Sequence, residues 1–179
     1  MGARRMIERL WKVTGEDGSS FHGGSGRYEV GVWREAEGPL VPCLVGIHLC
    51  RDGDLPSWLG PAIWEAEAEG ERIDGDDKVV VRRARVVRRT AWDEREARLF
   101  AADCAERALP LFEAERPGDD RPRLAIEATR RFAAGACTME GLAAAGAAAG
   151  DAAGDAAGDA AWAAERRWQV ARLLEVLAP

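Results

Sequence analysis

Residues 90–135 read TAWDEREARLFAADCAERALPLFEAERPGDDRPRLAIEATRRFAAG, and this stretch decides the architecture of the C-terminal half. It predicts two helices joined by an acidic, proline-bearing turn. Ala97, Phe100, Ala101, Cys104, Ala108, Leu111 and Phe112 recur at steps of three and four, which places them on one face of a 3.6-residue helix. Glu94 precedes Arg98 by four, as Asp103 precedes Arg107, the orientation that adds a few tenths of a kcal/mol per pair. Asp120 is placed to cap the second helix, Pro122 falls in its first turn where a missing N–H costs nothing, and Gly135 supplies the stop. Nothing in the stretch demands chemistry.

Beyond Gly135 the chain turns alanine-rich. Gly146, Gly150, Gly154 and Gly158 recur every four residues, and Asp151, Asp155 and Asp159 follow the last three. Each glycine inside a helix costs about 1 kcal/mol against alanine. Small residues at that spacing also let a second backbone approach closely, so the tract reads as a helix with a capacity for self-association, the alternative being a frayed low-complexity linker. The last helix, near residues 160–177, gathers Val170, Leu173, Leu174 and Leu177 on one side.

The blocks WDEREARLFAADCAERALPLFE and GDDRPRLAIEATRRFAAG, followed by the alanine-rich tract and a Trp-bearing helix, resemble the helical "putative immunity protein" family of bacterial polymorphic toxin systems. The resemblance covers about residues 90–178. It implies a helical fold and a role in neutralising a nuclease or other toxin by binding; it implies no catalytic residues. The N-terminal half, from KVTGEDGSSFHGGSG through VPCLVGIHLCR, resembles a small uncharacterised domain seen in phage and actinobacterial proteins.

Composition narrows the remaining classes. A chain of 179 residues with 47% hydrophobic and 31% charged residues can bury one good core or two small ones. No apolar run reaches the ~18 residues of a membrane span. The N-terminus MGARRMIERLWK lacks a signal-peptide core and a myristoylation serine, and four cysteines without an export signal read as reduced cytoplasmic thiols. A formal charge of −6 and a pI near 5.1 argue against nucleic acid as partner. The basic residues are almost all arginine, with Lys12 and Lys78 the only lysines, which reads as a GC-rich genome.

The first 90 residues predict a small mixed or antiparallel sheet. Residues 7–14 read as a strand or short helix, residues 27–34 alternate as a strand, and residues 40–50 read as buried strand bent at Gly46. DGDLPSWLG predicts one helical turn between Asp54 and Gly60. Glu65, Glu67 and Glu69 alternate with Trp64, Ala66 and Ala68, RIDGDDK is a hairpin turn, and residues 79–89 form a strong strand. The acidic row then faces the row of Arg82, Arg83, Arg85, Arg88 and Arg89 across an antiparallel pair.

Candidate chemistry lies in this half. Cys43, His48 and Cys50, spaced C-x4-H-x-C, are zinc-type ligands, with Cys104, Cys137 or His22 as a fourth; the spacing matches no common finger. The same residues offer a Cys–His nucleophile with no orienting Asn or Asp nearby. The GGSG piece could approach a phosphate, but it has no following Lys. A ligand pocket could be built from His22, His48, Trp58, Trp64, Arg83 and Arg85, aromatic walls and guanidinium groups that suit a nucleotide-like molecule. Buried thiols and core tryptophans account for the same residues without a ligand.

The expectation is therefore an α+β chain: a β-rich domain over residues 1–90 and an antiparallel helical bundle over 91–179. We expect a cytoplasmic, non-enzymatic protein without a cofactor that neutralises a toxin or effector by direct binding. The alternative is a phage-encoded protein that sequesters a nucleotide-like small molecule through its N-terminal domain.

Overall fold

A computed structural model of the chain describes residues 8–24, 26–150 and 159–179. The fold is α+β, an antiparallel sheet followed by four helices. It divides into two compact units, Met1–Trp92 with Arg166–Pro179, and Asp93–Glu165. Among the described residues no helix is long and apolar enough to cross a membrane.

The sheet unit is organised on a long hairpin. Strand β4 (Ala62–Asp74) pairs antiparallel with β5 (Val79–Arg89), and the turn closes with Gly75 N–H donated to the Lys78 carbonyl at 2.9 Å. Strand β1 (Leu10–Thr14) lies on the far side of β4, while β2 (Arg34–Glu35) and β3 (Ile47–Leu49) both pair with β5. Inward positions form one core that includes Leu10, Leu49, Trp64, Val79, Val81 and Val86.

The two charged rows meet as their alternation predicts. The register sets Glu65 opposite Arg88, Glu67 opposite Arg85 and Glu69 opposite Arg83. These pairs close at 3.2, 2.6 and 3.0 Å. All are solvent-facing, so each contributes little. A double-mutant cycle of Glu67→Ala with Arg85→Ala should give a coupling of about 0.5 kcal/mol in urea unfolding, shrinking in 1 M salt.

Three local expectations change. Residues 27–33 are not a strand: only isolated bridges form at Arg27 and Val30, and strand pairing begins at Arg34 in β2. Gly31 takes a φ of +79°, Val32 N–H returns to the Glu29 carbonyl, and Val30 and Val32 stay 57% and 51% exposed. A left-handed residue cannot continue a ladder, so the alternation is interrupted at its centre. In residues 40–50 the strand proper is only Ile47–Leu49, with isolated bridges from Cys50 to Trp11 and from Val41 to Val45, and the turn before it leaves Leu44 82% exposed. The helical turn near Asp54 is a three-residue 3-10 helix, Leu55–Ser57, that ends at Trp58 before Gly60. The Asp54 carboxylate does not cap it; Arg51 takes that carboxylate through its backbone N–H and its guanidinium at 2.8 Å.

The helical unit contains α1 (Glu94–Glu115), α2 (Arg121–Ala133), α3 (Met139–Gly150) and the first part of α4 (Asp159–Leu177). Asp93 caps α1 by accepting the Glu96 N–H at 2.8 Å, and Glu94 and Glu96 sit where the helix dipole favours negative charge. The core of this unit is Ala102, Leu109 and Ile126. The expected stripe on α1 is displaced: Ala101 and Ala108 face solvent, and Leu111 is 57% exposed. Alanine is too small to mark a buried face by itself, so the alanine positions gave the stripe a false direction. Pro110 also lies inside α1 and cannot donate to the Glu106 carbonyl.

Arg130 on α2 reaches Asp103 at 3.0 Å and Glu106 at 2.7 Å on α1. Asp120 precedes α2 without a side-chain cap; Asp119 accepts from the Arg121 N–H and guanidinium instead. Gly135 ends the segment with φ +72°. The glycine tract is helical through Gly150; Asp151, Gly154, Asp155 and Gly158 lie outside the described residues.

A cut at residue 90 would place all of α4 with the helices. From Arg166 onward the chain instead clusters with the sheet unit, where Leu173 and Leu177 are 0% and 1% exposed. Arg166 donates to Ser57 Oγ at 2.6 Å, and Arg88 donates to the Leu177 carbonyl at 3.4 Å.

Candidate functional site

The sheet unit holds a cavity of about 420 Å³. Its walls come from β1, β2, β3 and the loops between them, with Trp58 and Lys78 added from later in the chain. Gly18, at φ +83°, packs so close to the Tyr28 carbonyl that a Cβ would sit 2.6 Å from it. Tyr28 N–H closes back to the Gly18 carbonyl, and Ser20 N–H bonds the Gly26 carbonyl at 2.7 Å. The intervening turn, with Gly23 and Gly24 both at positive φ, brings main chain to the cavity rim beside His22.

His22 Nε2 lies 2.9 Å from the Trp58 carbonyl, and the two rings meet edge to face at 5.2 Å. Trp58 is anchored by its indole N–H to the Asp77 carbonyl and carries Lys78 Nζ over its ring at 4.4 Å. Deeper in, Lys12 Nζ donates to the His48 carbonyl at 3.0 Å and stands 4.7 Å from the centre of the Tyr28 ring. Arg34 lies 5.4 Å from the same ring.

Burial governs the protonation of this site. It lowers the Lys12 ammonium to about 8, with Arg34 adding like-charge repulsion. Burial, with Lys12 and Lys78 nearby, also lowers His48, which favours the neutral imidazole. His48 Nε2 accepts the Cys43 N–H at 3.0 Å, so the ring proton resides on Nδ1. Burial pushes the Cys50 thiol up to about 12, which keeps it protonated and a poor nucleophile near neutral pH.

His22, His48, Trp58, Cys43 and Cys50 all line this cavity. Among the described residues, however, no three His, Cys, Asp or Glu side chains are grouped to hold a metal ion. The Nε2 lone pair of His48 is directed at the Cys43 amide. Trp64, Arg83 and Arg85 lie elsewhere. Trp64 is 9% exposed in the core and donates its indole N–H to Thr14 Oγ1 at 2.7 Å. Arg83 and Arg85 stack on Trp33 at 4.6 and 4.7 Å while pairing with Glu69 and Glu67.

Sequence reasoning missed Lys12, Tyr28, Arg34 and Lys78, all lining residues. The sequence shows only that Lys12 and Lys78 are the two lysines of the chain; that both line one cavity emerges from the fold.

Fold and site together define a two-unit α+β protein whose sheet unit carries a cationic, aromatic cavity. Residues 90–168 match a family model described as "Imm-5 like putative immunity protein", so the helical part of the chain is similar to that family and the cavity lies outside the match. Comparison with curated proteins and with solved structures gives no match.

Proposed function

We propose that this chain is a non-enzymatic binding protein with an immunity-type role, neutralising a toxin or effector by direct contact through its helical unit. The observation that carries the reading is the family match over residues 90–168. The charge of the unit supports it: over residues 93–165 acidic residues outnumber arginines about two to one, which suits a partner with a basic surface. Leu111, Leu124 and Met139, each at least half exposed, supply apolar contacts of the kind a docking surface needs.

Expression of the full chain should restore growth to cells carrying a toxin encoded beside its gene, and the two purified proteins should co-elute as a defined complex. Failure of both, with each protein folded, would remove the reading.

One observation favours a second reading, a nucleotide-like small molecule held by the sheet unit. The cavity gathers His22, His48 and Trp58 from three separate segments of the chain. Its volume of about 420 Å³ falls within the ordinary range of small-ligand sites, roughly 300–1,000 Å³.

A further inference from the structure

The charge of the cavity runs against the charge of the chain. The protein carries a formal −6. The described lining of the cavity nevertheless brings in Lys12, Arg34 and Lys78 with Glu35 as its one carboxylate. Lys78 is matched by Asp77 at 3.4 Å. Lys12 and Arg34 are matched by no carboxylate among the described residues; their polar contacts are the carbonyls of His48 and Arg27 and the face of Tyr28.

Lys12 is only 8% exposed. An ammonium group buried without a counter-ion is costly, and a carbonyl and a ring face compensate it only in part. Two cations converging on one tyrosine repel one another as well. An anion entering from solvent would relieve both penalties at once. The rim adds aromatic surface: the Trp58 indole and the His22 imidazole meet there edge to face at 5.2 Å, beside Gly23 and Gly24, which carry no side chain into the cavity.

We propose that the cavity of the sheet unit is a receptor for a small organic anion, its phosphate or carboxylate head taken by Lys12 and Arg34 and its planar ring by Trp58 and His22. This rests on the second reading above and adds the chemical class of the ligand. It assigns Lys12 as the counter-ion, with a neutral His48 presenting its carbonyl to hold the ammonium in place.

Titration calorimetry on the full chain with adenosine 5′-monophosphate, benzoate, adenosine and inorganic phosphate tests it. At least one of the two ring-bearing anions should bind at least tenfold more tightly than adenosine, and which one binds identifies the head group. Lys12→Met should weaken that binding at least tenfold while leaving the melting temperature unchanged or higher, because it removes a buried charge. If Lys12→Met does not fold, Arg34→Gln serves in its place with the same expected loss. Adenosine binding as tightly as its monophosphate, unaffected by Lys12→Met but abolished by Trp58→Ala, would overturn the anion assignment and leave the pocket reading standing. Binding of inorganic phosphate without either ring compound would also overturn it. Absence of binding by all four probes to folded protein would overturn both readings.

Discussion

Leu173→Ala should lower the stability of the sheet unit by about 3–4 kcal/mol, a large fraction of what a unit of this size has to lose. Leu173 is 0% exposed, and it lies in the segment Arg166–Pro179 that clusters with the sheet although the whole of Asp93–Glu165 separates them in sequence. Truncation removes the transfer energy of the side chain and leaves a cavity that a well-packed surround cannot close. The neighbouring Leu174 is only partly buried, so Leu174→Ala should cost about 1 kcal/mol and serves as the control. Urea unfolding followed by tryptophan fluorescence reads the effect, since Trp11, Trp64 and Trp92 are buried in the same unit. A loss below about 1 kcal/mol for Leu173→Ala would mean that the C-terminal segment is not part of the sheet unit's core.

Gly46→Ala should cost a further large amount, about 3–5 kcal/mol, through two separate mechanisms. A Cβ at this position would sit 2.3 Å from Val80 Cγ1 and 3.2 Å from Leu40 Cδ2. Val80 is 1% exposed near the start of β5, packed in the core, and cannot withdraw. The backbone adds its own term, because φ at Gly46 is +133°, in a region that residues with a Cβ scarcely enter. Gly38→Ala separates the two effects. Gly38 has a φ of +82° but open space around it, so its substitution should cost only about 1 kcal/mol. Val80→Ala combined with Gly46→Ala should recover part of the loss by removing the clash and none of the backbone strain. Equal costs for Gly38→Ala and Gly46→Ala in urea unfolding would show that contact with Val80 plays no part. Gly46 also lines the cavity and precedes β3, so the same variant should weaken any ligand held there.

Much of the architecture was legible because it depends on local periodicity. The strict alternation from Trp64 onward, the Asp-Gly turn and the valine-rich run ending at Arg89 define a hairpin with no information from distant residues. Opposite charges on the facing rows agree with that register, which is why the Glu67–Arg85 and Glu69–Arg83 pairs were readable as well. The strand expected over residues 27–34 failed because a left-handed conformation at Gly31 interrupts it, and a single glycine in an alternating pattern does not announce its φ. On α1, alanines at helical spacing cannot show which face is buried; the contact with Ile126 of α2 decides it.

The candidate site was half legible. Its histidines and Trp58 were chosen for their chemistry and do share a cavity, whereas Trp64 is core and Arg83 and Arg85 are engaged with Trp33 and their glutamates. Lys12, Tyr28 and Arg34 went unread because they come from a strand, a loop and a two-residue strand that meet only in three dimensions. By itself the sequence determined the class of fold, the β4–β5 hairpin with its charge ladder, and the helical segments of the C-terminal half. These follow from the spacing of apolar and charged residues along a few turns or pleats. The tertiary structure alone decided that the end of α4 belongs to the sheet unit, and that the two lysines of the chain face one cavity. Such long-range burial depends on which surfaces remain uncovered once each local element has formed, and no local pattern encodes that.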